Sequence, residues 1–153
     1  MNIQKLLEEN IYDIVNEAFT SMKCVKLQGY DKDGDERTKE KLRMLYSTLI
    51  ESVNTKSLIP MMNHAETIAK ERFASGYDLY EVQTAINELE EAIWKRIFKE
   101  IKPDDLAEAL GIVSTVLGAG KDTLARTYVS LATKSKVSSL NLQALFKGSE
   151  GNR

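Results

Sequence analysis

The sequence has one cysteine, Cys24, and one histidine, His64. Cys24 has no partner for an internal disulfide, and a metal site built from several histidines is excluded. Two prolines and eight glycines among 153 residues rule out collagen-like and low-complexity architectures. Aromatic residues make up only 7%. No apolar run approaches the roughly 18–20 residues needed to cross a bilayer. The opening stretch carries acids throughout, unlike the apolar core of a secretory signal. An excess of one charge is also missing. Lys+Arg is 21 and Asp+Glu is 23, a net charge of -2, which argues against a nucleic-acid binder that relies on a strong positive field. These absences predict a cytoplasmic protein with no membrane span, and they thin out the residue types most enzymes use.

What is present is helical periodicity. Ile3, Leu7, Ile11, Ile14, Ala18 and Met22 share one face of a helix over about 3–22. Leu27 to Asp35 holds two glycines and three aspartates, a loop signature. Leu42, Leu45, Leu49 and Val53 mark a second helix. Pro60 suits the first turn of a third, whose apolar face is Ile59, Met62, Ala65, Ile68, Ala69 and Phe73. Gly76 suits the left-handed residue that closes it. Asp78 and Glu81 then form a capping box, with Tyr77 and Val82 placed as a hydrophobic staple. The fourth helix buries Val82, Ile86, Leu89, Ile93 and Ile97, and helical spacing places Trp94 and Phe98 in core packing. Pro103 opens the last helix. Its stripe runs from Leu106 through Val113, Leu117, Gly120, Leu124 and Tyr128 without slipping phase. This predicts one long helix over about 104–133, with Gly118 and Gly120 admitting a close neighbour. The expected fold is an all-α, single-domain bundle of about five helices over 1–135, with a flexible tail over 136–153.

Several motifs invite chemistry and then fail it. Asp31, Asp33 and Asp35 have calcium-loop spacing, but Glu36 stands where glycine is needed and Leu42 where a bidentate Glu is needed. Gly118-Ala119-Gly120-Lys121 evokes a phosphate loop, but Thr115 replaces the leading glycine and Asp122 the Ser or Thr after the lysine. Cys24, flanked by Lys23 and Lys26, lacks a partner Cys or His. His64 is the one candidate axial ligand for a heme, which a globin-like helical sensor would need. Arg72 and Glu81 flank the Gly76 turn. They would form either an ion pair or cap network, or a polar pocket at the end of the bundle. Neither metal nor catalytic residues emerge from these patterns.

The stretch from Ile68 through Arg72, Gly76, Asp78 and Glu81, continuing to Ile93, resembles the RsbRD-type helical N-terminal domain of bacterial anti-sigma-factor antagonists. The long last helix with Leu124 and Tyr128 is similar in style. The resemblance covers about 10–133. It implies a non-catalytic input module of stress signalling that acts through helix–helix contact, usually as a homodimer or with a signalling partner, and needs no cofactor. In that family an output domain follows; this sequence ends about twenty residues after the last expected helix, so it is expected to be either a free-standing version or a fragment of a longer protein. Arg72, Gly76, Asp78 and Glu81 are the residues that match the family's motif; Gly118 and Gly120 join them as expected interaction residues because they admit a close neighbour to the last helix.

Overall fold

The computed structural model describes the backbone of residues 1–151 and the side chains of residues 1–136. The described residues are all-helical, without a strand. Seven helices form one helical domain: α1 (Ile3–Glu9), α2 (Ile11–Cys24), α3 (Gln28–Asp33), α4 (Asp35–Thr55), α5 (Ile59–Ala74), α6 (Leu79–Glu100) and α7 (Pro103–Gly151). The most extensive contacts are α5 on α7 and α2 on α6, with α6 also lying on α7. No helix among the described residues is long and apolar enough to cross a membrane.

The count exceeds five for two local reasons. The first expected helix breaks at Asn10, which leaves the helical region (φ -118°, ψ 17°) and donates its side-chain amide to the Leu6 carbonyl at 2.8 Å. A short polar side chain there competes with the backbone for its own hydrogen bonds. The apolar stripe survives the break: Ile3, Leu6, Leu7, Ile14, Val15, Ala18 and Met22 are all buried. The second addition is α3, in the stretch expected to be a loop. Tyr30 is buried there, its carbonyl accepts from Thr38 Oγ1 at 3.1 Å, and Gly34 closes the turn at φ +87°. Six residues cannot hold a helix by propensity alone; tertiary contacts hold this one.

Local signals place the α5–α6 turn as expected. Gly76 adopts φ +83°. The Tyr77 N–H bonds the Arg72 carbonyl at 2.9 Å, and the Gly76 N–H bonds the Phe73 carbonyl at 3.2 Å. These are the two bonds of a Schellman closure. The capping box of Asp78 and Glu81 then starts α6, and Tyr77 and Val82 are both buried.

Three expectations need correction. The apolar face of α5 is rotated at its start: Met61 is buried, while Ile59 and Met62 are exposed. On α6, Trp94 and Phe98 are 38% and 60% exposed, because the buried stripe runs through Ala85, Leu89, Ala92, Ile93 and Ile97 beside them. Finally, the two glycines of α7 differ. A Cβ on Gly120 would lie 2.9 Å from Met61 Sδ, so this glycine lets α7 close on α5 within the chain. A Cβ on Gly118 would meet nothing within 4 Å, so no close neighbour requires it. The helix α7 is continuous to Gly151. The expected tail over 136–153 falls almost wholly on side chains outside the described residues.

These glycines should therefore respond in opposite directions. Gly118→Ala should stabilise the fold by up to about 1 kcal/mol, the helix-propensity difference. Gly120→Leu should destabilise it by about 1–3 kcal/mol, as overpacking does. Urea denaturation followed by circular dichroism measures both, and equal effects would contradict the α5–α7 contact described.

Candidate functional site

The polar chemistry collects where α3, α4, α5 and α6 meet. The stripe Met61, Ala65, Ile68, Ala69 continues in phase to Arg72, which carries a guanidinium into the buried face of α5. Arg72 is 4% exposed. Its guanidinium carbon lies 6.0 Å from the centre of the Tyr77 ring. Its Nη1 donates to Glu71 Oε1 at 2.8 Å, but Nε is buried with no partner among the described residues.

Arg72 and Glu81 share the site without pairing, so the expected ion pair is replaced by the cap network. Glu81 is itself buried. One carboxylate oxygen accepts from the Asp78 N–H at 3.3 Å, completing the capping box, and the other accepts from the Gly29 N–H at 2.9 Å. A single side chain thus caps α6 and anchors the start of α3. The second role has no signal in the local sequence.

Tyr77 is the hub of the cluster. Its ring stands edge-on to Tyr30 at 5.0 Å. The approach to α3 is so close that a Cβ on Gly29 would sit 2.8 Å from the Tyr77 ring. The Tyr77 hydroxyl donates to Asp33 and accepts from Lys41 Nζ at 3.0 Å, while Lys41 also pairs with Asp33. The Tyr77 carbonyl accepts from the Tyr128 hydroxyl at 3.0 Å, which ties the cluster to α7. Phe73 stacks edge-on against Tyr128 at 5.6 Å.

The electrostatics follow from burial and neighbours. Burial alone would raise the Asp33 carboxyl, but hydrogen bonds from Lys41 and Tyr77 and the charges of Lys41 and Arg37 hold it below its usual value. Burial, reinforced by Asp33, pushes the Tyr77 hydroxyl well up. Tyr128 is pushed up to about 12, chiefly by burial. His64 is lowered by burial and by the nearby Arg72 cation, so it is neutral at pH 7.

Among the described residues, two of the cavities are of ligand size. One, of about 410 Å³, is lined by Asp33, Arg37, Lys41, His64, Arg72 and Tyr77 with their neighbours. The other, of about 690 Å³, lies between the start of α1, the end of α4 and α7, and its wall is largely apolar around Ile3, Val53, Leu58, Ile112 and Val116. The larger one touches none of the cluster. The smaller one holds the convergent hydrogen-bonding groups that confer selectivity on a site.

His64 faces that smaller, charged cavity. A porphyrin needs an apolar slot around its axial ligand, and Arg37, Lys41 and Arg72 do not form one. The residues present do not fit heme. The other motifs resolve as structure. Lys121 lies within α7 and pairs with Glu90 at 3.1 Å. Asp33 and Asp35 are paired with Lys41 and Lys23. No group of three or more His, Cys, Asp or Glu among the described residues is arranged to hold a metal ion. Cys24 is exposed at the end of α2.

Two measurements test this reading. Glu81→Ala removes two hydrogen bonds to backbone N–H groups and should cost about 2–3 kcal/mol of stability in urea melts. The lowered His64 predicts a pH dependence. Between its ordinary value near 6.5 and its lower folded value, the unfolded chain binds the extra proton. This contribution to stability is therefore present above about pH 6.5 and is lost as pH falls through the folded value. His64→Gln should flatten the melting temperature in that acid window, and an unchanged slope would show that His64 is not held neutral. No protein-family model, curated protein or solved structure matches this chain.

Proposed function

We propose that this chain is a non-catalytic regulatory module of signal transduction, acting through contact of α7 with a second copy of itself. The observation that carries this reading is the course of α7. Tyr128 is the last buried residue along it among the described side chains, yet the helix continues to Gly151. From Val129 to Lys136 only Leu131 is even half-buried, and Val129 is 62% exposed. A helix of 49 residues is roughly 75 Å long, more than twice the length of α6. Helical turns with no packed face are marginal in water. A partner helix supplies the missing face.

In this reading the Arg72–Tyr77 cluster is the input end and the exposed turns from Val129 to Lys136 are the output end. The Tyr128–Tyr77 hydrogen bond and the Gly120–Met61 contact connect them. An input acts only if it favours one packing of α7 over another. The resemblance of residues 68–93 to RsbRD-type input domains supports the same role, with Arg72, Gly76, Asp78 and Glu81 building the turn beneath the input cluster. The module itself needs neither cofactor nor nucleic acid.

Sedimentation analysis tests the reading. At about 100 μM, well above the Kd of a weak interface, the chain should be a dimer. The double variant Val129→Glu, Ala132→Glu changes exposed positions only and should sediment as a folded monomer with an unchanged circular dichroism spectrum. A monomeric parent chain, or a variant that still dimerises, would count against α7 as the contact.

A further inference from the structure

The cavity beside the Tyr77 cluster has more cationic hydrogen-bond donors than the protein itself uses. Three acids line it, and each is already engaged. Asp33 is held by Lys41 and Tyr77, Glu71 by Arg72, and Glu40 by Arg43. The donors are not exhausted. A guanidinium carries five N–H groups; Arg72 donates to Glu71, whose side chain is 58% exposed, and also acts by hydrogen bond and charge on the buried Tyr30 hydroxyl, which leaves further N–H groups over. So exposed an acid compensates little of a buried cation's lost hydration. The Arg72 Nε is left without an acceptor. Arg37, on α4, lines the same cavity and makes no ion pair among the described residues. Neutral His64 can offer a ring N–H beside them.

Size narrows the ligand. Arg72 also borders a separate void of about 20 Å³, together with Tyr30, Lys41 and His64, with room for one water. The outer cavity, about 410 Å³, is far larger than a water or a bare phosphate needs and falls in the range of metabolite sites. A planar guanidinium fork matches the oxygens of a carboxylate or phosphate.

We propose that this cavity is a binding site for a small organic oxyanion, a carboxylate or phosphate monoester of metabolite size, held by Arg72 and Arg37 with Lys41 and His64 at its edge. Glu71 is the internal stand-in that the ligand displaces from Arg72. Binding does not depend on the role proposed above for α7. Only its consequence for α7, through Tyr77 and Tyr128, rests on that reading.

Isothermal titration calorimetry of the full chain with succinate and, separately, with glycerol 3-phosphate tests the site and distinguishes the two headgroups. Saturable binding of at least one is expected. Arg37→Gln should weaken it about tenfold or more, the effect of losing a charge-assisted hydrogen bond, and Arg72→Gln should abolish it. Arg126→Gln, an exposed position on α7 away from the cavity, should leave it unchanged. Arg72 is buried, so its variant is scored only if its circular dichroism matches the parent; Arg37 is exposed and carries the test regardless. Absence of saturable binding for both probes up to about 10 mM, a weak limit for a metabolite site, would overturn the proposal. So would an Arg37→Gln protein that binds as the parent does. Sedimentation of the parent chain reads the α7 contact separately, so a failure of either idea is distinguishable from a failure of the other.

Discussion

Moving a guanidinium out of water and under the α5–α6 turn costs several kcal/mol unless neighbours replace its hydration. Arg72 therefore imposes conditions on its surroundings. The Tyr77 ring must approach the cation, and to do so it crosses against α3 at Gly29, where any side chain would collide with it. The α3 backbone must then be held in place, which Glu81 does through the Gly29 N–H. The Tyr77 hydroxyl needs its own partners, which come from Asp33 at the end of α3 and Lys41 on α4. Four helices are thus fastened around one buried cation.

The opposite stretch of α7 is organised by shape rather than charge. Gly120 yields its side-chain volume to Met61, and the helices α5 and α7 close on each other. Tyr128 performs both jobs at once, stacking on Phe73 and donating to the Tyr77 carbonyl. Beyond it no side chain from Val129 to Lys136 is buried. The two ends of the α5–α7 contact therefore differ in kind. One is apolar and set by volume; the other is polar and set by a hydrogen bond to a turn that itself depends on Arg72.

Much of this was legible in the residues, wherever the determining interaction is local. The Schellman closure at Gly76 and the capping box at Asp78 and Glu81 lie within a few positions of one another, and both form where the sequence predicts them. The unbroken phase of α7 across Gly118 to Gly120 likewise reads as one helix. The burial of Arg72 was also open to reading, since it stands three and four positions after Ala69 and Ile68 on the expected stripe, although a charged residue in that phase does not invite it. What the residues conceal depends on distant partners. The helix α3 looks like a loop because its order comes from Glu81, 52 positions away. The break at Asn10 is invisible because the apolar period runs straight through it. Trp94 and Phe98 show the limit of hydrophobicity as a guide: a helix between two neighbours has room for one stripe, and a second apolar pair beside it stays outside.

The position of these partners along the chain bears on the order of assembly. Apart from Tyr128, the groups around Arg72, from Tyr30 and Asp33 to Tyr77 and Glu81, precede α7 in sequence. During synthesis the N-terminal part emerges first, and the turn between α5 and α6 is made of short-range contacts that close quickly. The polar cluster can therefore mature before α7 has left the ribosome. The last helix then meets a surface that already carries its two receptors, Met61 for Gly120 and the Tyr77 carbonyl for Tyr128. A chain built in this order has its longest helix added last, and that helix covers α5 and α6 mostly with the apolar side chains of Val113, Val116, Leu117 and Leu124.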